Sequence, residues 1–210
     1  MKVLLTGFDP FGKEKINPAW EAVQRVQDKI GDVEVVKLQV PTVFWKCSEI
    51  VLAKAREVNP DVILCVGQAG GREGITVERV GINLVDAGIV DNEGQRPVDV
   101  PVVENGENAY FSTVPVKAMV EHMQEAGLKA GVSYTAGTYV CNALLYSVLY
   151  ALQDTDIRAG FIHVPYLPEQ VEGKQVPYMT LEDMVKGLEI CVETACTVCI
   201  DSHTSFGKEM

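Results

Sequence analysis

Hydrophobic and polar positions along the chain change period repeatedly, and each change marks an element. Val3 to Thr6 is a short apolar run that reads as a strand, and Val33 to Val40 reads as the next. The run Val62-Ile63-Leu64-Cys65-Val66, the alternation from Thr76 to Asp86 and the segment Ala159-Gly160-Phe161-Ile162-His163-Val164 extend the series of strands. Between them the apolar spacing lengthens to three and four. Asn17 is placed to cap a helix that begins at Pro18 and is expected to run to about Lys29. Further helices are expected over Phe44 to Val58, stopped by Asn59-Pro60, over Pro115 to Ala126, ended by Gly127, and over Leu181 to Ile200. Strands alternating with helices predict an α/β protein: one domain over residues 1–210, a three-layer α/β/α sandwich around a mixed, largely parallel sheet. Reacting groups in such folds gather at the carboxyl ends of the strands.

One stretch stands out against this background, Gly131 to Tyr150. Its extended part, with Val132 and Tyr134, stops at Thr135-Ala136-Gly137, and from Val140 the apolar residues Val140, Leu144, Leu145, Val148 and Leu149 recur at helical spacing. Cys141 therefore falls in the first turn of a helix, where unpaired N–H groups and the positive end of the dipole favour thiolate. A cysteine among apolar residues is more often packing, but a strand-to-helix turn is a reactive position. A catalytic thiol needs a base, and the chain has three histidines. His122 is mid-helix, His203 lies in the polar tail, and His163 falls near the carboxyl end of the last strand. A right-handed βαβ crossover from the Val132 strand through the Cys141 helix would bring His163 alongside Cys141. Glu78 alternates in line with Val80, Ile82 and Leu84, so a carboxylate on an apolar face needs a partner. That partner is either the imidazole, which it would orient, or Arg72 or Arg79 in an ion pair.

Charge and composition narrow the possibilities. A net charge of −11 repels phosphate backbones and anionic membranes, so neither nucleic acid nor membrane is an expected partner. The apolar start Val3-Leu4-Leu5 is too short for an export signal, which predicts a cytoplasmic protein with its six cysteines reduced. The polar tail from Asp201 to Met210 is expected to fray. Gly7 to Glu14 fits the spacing of a phosphate-binding loop, yet Glu14 stands where a hydroxyl should meet magnesium and Pro10 lacks an N–H. What remains there is a loop with two aromatic rings, Phe8 and Phe11, which serve either the core or the wall of a small pocket. Cys191, Cys196 and Cys199 mimic a cluster or redox spacing but fall on one apolar helical arc, which favours packing.

The stretches LLTGFDPFG, VGQAGGR, ITVERVGIN, DNEG, AYFST, SYTAGTYVCN and GFIHVPYLPEQ span nearly the whole chain. In them the protein resembles the pyroglutamyl peptidase I (pyrrolidone carboxyl peptidase) family of cysteine exopeptidases. The resemblance implies Cys141 as nucleophile, His163 as general base and Glu78 as the acidic third member. It implies a pyroglutamate pocket from Phe8, Phe11, Asn17, Gln68 and the main chain around Tyr139 and Val140. It also implies peptides with an N-terminal pyroglutamate as substrates, no metal or other cofactor, and a homo-oligomer, commonly a tetramer. Two positions depart from the family pattern: Gly88 stands where Arg is usual, and Ala143 where His is frequent. The missing cation makes a binding-only homologue the rival reading.

Overall fold

The computed structural model describes residues 1–207 and is built on a seven-stranded sheet of order β2-β3-β1-β4-β9-β5-β8. Four strands run parallel at its centre: β3 (Val33–Val40), β1 (Lys2–Phe8), β4 (Val62–Gln68) and β9 (Arg158–Val164). Beyond β9 lie β5 (Ile75–Glu78), antiparallel to it, and β8 (Ala130–Ser133), parallel to β5. At the other margin β2 (Lys29–Ile30) pairs antiparallel with β3. The central strands are apolar on both faces because helices cover both, as a largely parallel sheet requires. Val3, Leu5, Val62, Leu64, Ile162 and Val164 face one layer, formed by α1 (Pro18–Val23), α3 (Val116–Glu125) and α5 (Leu181–Thr197). Leu4, Phe8, Ile63, Cys65, Ala159 and Phe161 face the other, formed by α2 (Lys46–Val58) and α4 (Val140–Ala151). The three-layer α/β/α expectation holds.

Four details differ from the sequence reading. The first helix ends at Val23 rather than near Lys29, because the chain turns there and Val35 N–H takes the Asp28 carbonyl, drawing the segment into the β2–β3 ladder. The alternation from Thr76 to Asp86 is not one strand. After Glu78 the chain leaves the main sheet, and β6 (Val80–Ile82) pairs antiparallel with β7 (Ala109–Phe111) in a separate ribbon. Alternation reports which way side chains face, not which sheet they join. The expected parallel crossover from the Val132 strand to the His163 strand is absent: β5 lies between β8 and β9, and β8 runs antiparallel to β9. Finally, α5 stops at Thr197, which leaves Cys199 exposed beyond it while Cys191 is buried 3.7 Å from the Met123 sulfur. The three cysteines form no cluster.

The segment expected to fray is tied down where it begins. Asp201 Oδ1 accepts the N–H groups of Lys117 and Ala118, both at 3.0 Å, and so caps α3, and Ser202 donates to Glu121 at 2.7 Å. The remainder of that expectation, residues 208–210, lies outside the described residues.

The β6 strand is held to the front of α4 by one side chain. Asn142 is fully buried; its Oδ1 accepts from Ile82 N–H and its Nδ2 donates to the carbonyls of Ile82 and Leu84, each at 2.9 Å. Asn142→Ala strands the Ile82 N–H and the Leu84 carbonyl, while the Ile82 carbonyl keeps Leu84 N–H at 2.9 Å; a loss of about 3 kcal/mol is expected, seen as a lower thermal midpoint. Asn142→Asp should be no better, since it sets a carboxylate against two carbonyl oxygens; equal midpoints for wild type and both variants would refute the account.

Candidate active site

Everything chemically reactive in the sequence reading converges at the carboxyl edge of β1, β4 and β9, on the face covered by α2 and α4. His163 sits near the end of β9, in register with Gly67 on β4. Gly67 is there for space: a Cβ would come within 2.9 Å of the Phe161 ring and 3.0 Å of the Cys141 sulfur. The missing side chain lets the thiol of α4 settle onto the strand beside His163. The chain reaches α4 through the loop from Tyr134 to Tyr139, where Gly137 adopts φ +77° and its N–H bonds Thr135 Oγ1 at 3.1 Å.

Cys141 occupies the second residue of α4, a helix whose N-cap, Tyr139, makes no side-chain capping bond. The first helical hydrogen bond runs from Ala143 N–H to the Tyr139 carbonyl. The N–H groups of Val140, Cys141 and Asn142 precede it, a donor cluster suited to an anionic oxygen.

Glu78 has no exposed surface. His163 Nδ1 lies 2.7 Å from its Oε1, and Arg72 donates to the same oxygen at 2.7 Å. Both alternatives raised for this carboxylate are thus realised together, with Arg72 rather than Arg79 as the cation. Arg79 instead lies over the Phe111 ring, 5.0 Å from its centroid. Arg72 also bonds Thr76 Oγ1 and, at 3.4 Å, the Thr135 carbonyl, which ties three segments of the site together. Glu78 Oε2 has no hydrogen-bond partner among the described residues; Ser133, opposite Glu78 on β8, spends its hydroxyl on the Thr135 carbonyl.

Burial pulls on all three groups. It raises the Glu78 carboxyl, but the His163 hydrogen bond and the nearby positive charges overcome that and leave it below its usual range. Burial lowers His163, against the raising effect of Glu78. Burial, with the Glu78 charge adding to it, pushes the Cys141 thiol up to about 12. Loss of hydration thus opposes the pull that the helix terminus exerts toward thiolate. At neutral pH the thiol and imidazole are both uncharged, and with Glu78 ionised the ring proton sits on Nδ1, leaving Nε2 as acceptor.

A cavity of about 310 Å³ opens onto Cys141 and His163, walled by Phe8, Phe11, Asn17, Gln68 and Tyr139, with Thr42, Ala69, Arg72 and Thr135 to Gly137 completing it. Phe8 is both core and wall, being buried and 6.3 Å from the Phe161 ring. Phe11 and Tyr139 are 6.4 Å apart, and Tyr139 meets Phe44 edge-on at 5.2 Å. Asn17 lines the cavity but spends both polar atoms on the backbone, accepting from Ala19 N–H and donating to the Asp9 carbonyl. Gln68 Oε1 accepts from Gln170, and its Nε2 has no protein partner among the described residues. Val140 does not line the cavity; its side chain is buried in the core beneath. Sequence reasoning missed Thr42, whose N–H bonds Asp9 Oδ1 at 2.7 Å, and Asp91, which binds the N–H groups of Phe44, Glu93 and Gln95 and so shapes the rim. The Gly7–Glu14 loop is fixed by Asp9, which accepts Thr42 N–H, and by Glu14, whose N–H bonds the Phe11 carbonyl and whose carboxylate accepts from Gln170. At Gly88 a Cβ would meet nothing within 4 Å, and the nearby cation is Arg96, whose Nε donates to the Ala87 carbonyl at 3.0 Å. His122 is occupied by Thr194, and no cluster of metal-ligating side chains exists among the described residues.

A thiol at a helix N-terminus, an imidazole and a buried carboxylate on the edge of an α/β sheet define a cysteine-hydrolase centre. The chain belongs to the pyroglutamyl peptidase family, whose profile matches residues 1–198. Pyrrolidone-carboxylate peptidase of Clostridium perfringens is 54% identical over 92% of both chains, and that of Bacillus cereus 52% identical over 95% of this chain and 94% of its own. The crystal structure of pyroglutamyl peptidase I from Bacillus amyloliquefaciens superposes with a TM-score of 0.95 at 47% identity, covering 97% of this chain and 99% of that one. A pyrrolidone carboxyl peptidase variant from Pyrococcus furiosus gives 0.89 at 39% identity, covering 93% and 98%.

The protonation states predict a pH profile. With His163 below its ordinary 6.5, kcat/KM should rise with pH through an acid limb centred below 6.5. Glu78 holds the imidazole pKa up, so Glu78→Gln should move that limb to still lower pH while reducing the plateau. A limb that stays put in Glu78→Gln would remove Glu78 from the titration. The same shifts act on folding: His163 and Glu78 both bind protons more weakly in the native state, so stability falls as pH drops below 6.5 and again below 4.5.

Proposed function

We propose that this protein hydrolyses the N-terminal pyroglutamyl residue from peptides through a thioester on Cys141. The observation that carries the reading is the small aromatic-walled cavity opening directly onto a thiol, an imidazole and a buried carboxylate; family membership supplies the activity. His163 Nε2 takes the thiol proton as sulfur attacks the pyroglutamyl carbonyl carbon, and the oxyanion is met by N–H groups at the start of α4. Collapse breaks the C–N bond as the imidazolium returns the proton to the leaving amine. Water, deprotonated by His163, then attacks the thioester and releases pyroglutamate and the thiol. Glu78 positions the ring, and Arg72 balances its charge. Phe8, Phe11 and Tyr139 take the faces of the lactam ring, Gln68 offers an amide to its polar edge, Asn17 keeps the loop in place, and Val140 contributes main chain only. A binding-only role has less in its favour, since relatives above 50% identity are named as peptidases and a thiol and a carboxylate-held imidazole line one cavity here.

No described helix is long and apolar enough to cross a membrane, and all six cysteines are free thiols, which suits a reducing cytoplasm. Assembly into a homo-oligomer, a tetramer by the resemblance, belongs to the same reading and is checked by native mass.

Two experiments test the chemistry. Iodoacetamide should abolish turnover through Cys141, Cys141→Ser and His163→Ala should retain little, with a loss of about 10²–10⁴ for the base, and Cys196→Ala should be unaffected. Full activity in Cys141→Ala would sink the assignment. For specificity, a neutral lactam fits apolar walls with an amide contact, whereas N-terminal proline lacks the carbonyl and N-terminal glutamine carries an ammonium. Peptides differing only in that first residue should be discriminated by about 10⁴–10⁵ in kcat/KM, the range for sites that hydrogen-bond a group the analogue lacks. Comparable cleavage of the prolyl peptide would mean that the pocket reads ring shape alone.

A further inference from the structure

The sheet face that carries His163 and Glu78 continues past the catalytic cavity. Thr76 is opposite both His163 and Gly131, and Glu78 is opposite Ser133, so Thr76, Gly131 and Ser133 project to that same face from β5 and β8. Helices α2 and α4 pack over β3, β1, β4 and β9, whereas α3 packs on β5 and β8 from behind. Over β5 and β8 the face is therefore left open, and a trough of about 760 Å³ runs along it and round the outer edge of β8 to Gln124 and Leu128. Arg72 and Thr135 belong to the walls of both the trough and the catalytic cavity, so the two adjoin across them.

We propose that this trough binds the part of the peptide beyond the scissile bond, a leaving-group subsite for about four residues; the inference rests on the catalytic cavity being the pyroglutamyl site. The cavity of about 310 Å³ suits a single ring residue, so the rest of a peptide must leave it, and the trough begins at the wall they share. The four residues of β8 span roughly 13 Å at ~3.3 Å each, the length of about four extended residues. Gly131 keeps the floor open: a Cβ there would meet nothing within 4 Å. A pyroglutamyl peptide has no terminal ammonium, so its one backbone charge is a C-terminal carboxylate, which a protein of net charge −11 repels except beside a cation. Lys129, three-quarters exposed, lines the trough just before β8 and pairs at 3.9 Å with Glu73 on the same wall, an exposed pair that a C-terminal carboxylate can compete for; Thr135 lines the trough just after β8. The peptide lies across the face rather than adding a strand, because Gln124 Nε2 already occupies the outward Ala130 carbonyl at 2.8 Å.

The test compares pyroglutamyl-alanine with pyroglutamyl-tetraalanine on the wild-type enzyme and on two variants outside the catalytic machinery. Wild type should show kcat/KM about tenfold higher for the longer peptide, equivalent to about 1.4 kcal/mol. Gly131→Phe fills the trough without a left-handed φ to violate, and should bring the long peptide down to the short one's efficiency while leaving the short one unchanged. Lys129→Glu should weaken the long peptide but not its C-terminal amide. A flat length series in wild type, or equal losses on both peptides in Gly131→Phe, overturns the subsite while leaving the pyroglutamyl activity standing. No cleavage of either peptide by wild type overturns both.

Discussion

A carboxylate with no solvent contact constrains this structure more than any other group. Glu78 is tolerable only because an imidazole N–H and a guanidinium both reach its Oε1. Meeting that demand decides how the sheet is put together at this edge. Because β5 runs against β9, Thr76 rather than Glu78 is directly opposite His163, and the carboxylate reaches the ring diagonally across the ladder. Arg72 must come from the loop before β5 and holds the loop before α4 as it does so. The glutamate that orients the ring is thus also the point at which β5, β9 and two loops are fastened together.

The resting state that follows is quiet. Thiol and imidazole are both neutral, and the sulfur lies against Gly67 on the wall of the cavity. Nucleophilicity arises only when the proton moves, and the fully formed negative charge then appears beside N–H groups that no side chain has capped. A thiol held in this form is also a poor target for peroxide compared with a standing thiolate.

Much of this was legible in the chain. The strand and helix positions, the reactive trio and the aromatic loop follow from periodicity, from the scarcity of histidine and from a glutamate on an apolar stripe. The parts that were not legible have a common cause, the partner across the ladder. Nothing between Thr76 and Asp86 signals that the chain changes sheets after Glu78, because side-chain alternation survives the change. Nor does the Val132 strand announce that β5 will come between it and β9. The ionisation of Cys141 was only half legible for a related reason: the helix terminus is visible in the sequence, but the burial that opposes it is tertiary. Asp201 shows the same limit, since a tail residue caps a helix some eighty positions earlier in the chain.

The bare front of α4 has an implication for how such a protein can be improved. A Ser, Thr, Asp or Asn at a helix N-cap is commonly worth ~1 kcal/mol over a residue that makes no capping bond, and position 139 forgoes it. A selection for heat resistance alone would be drawn to that vacancy, and the oxygen it installed would sit on the N–H groups that an acyl oxygen has to find empty. If those N–H groups receive the oxyanion as proposed, tolerance of heat and turnover compete at this one residue.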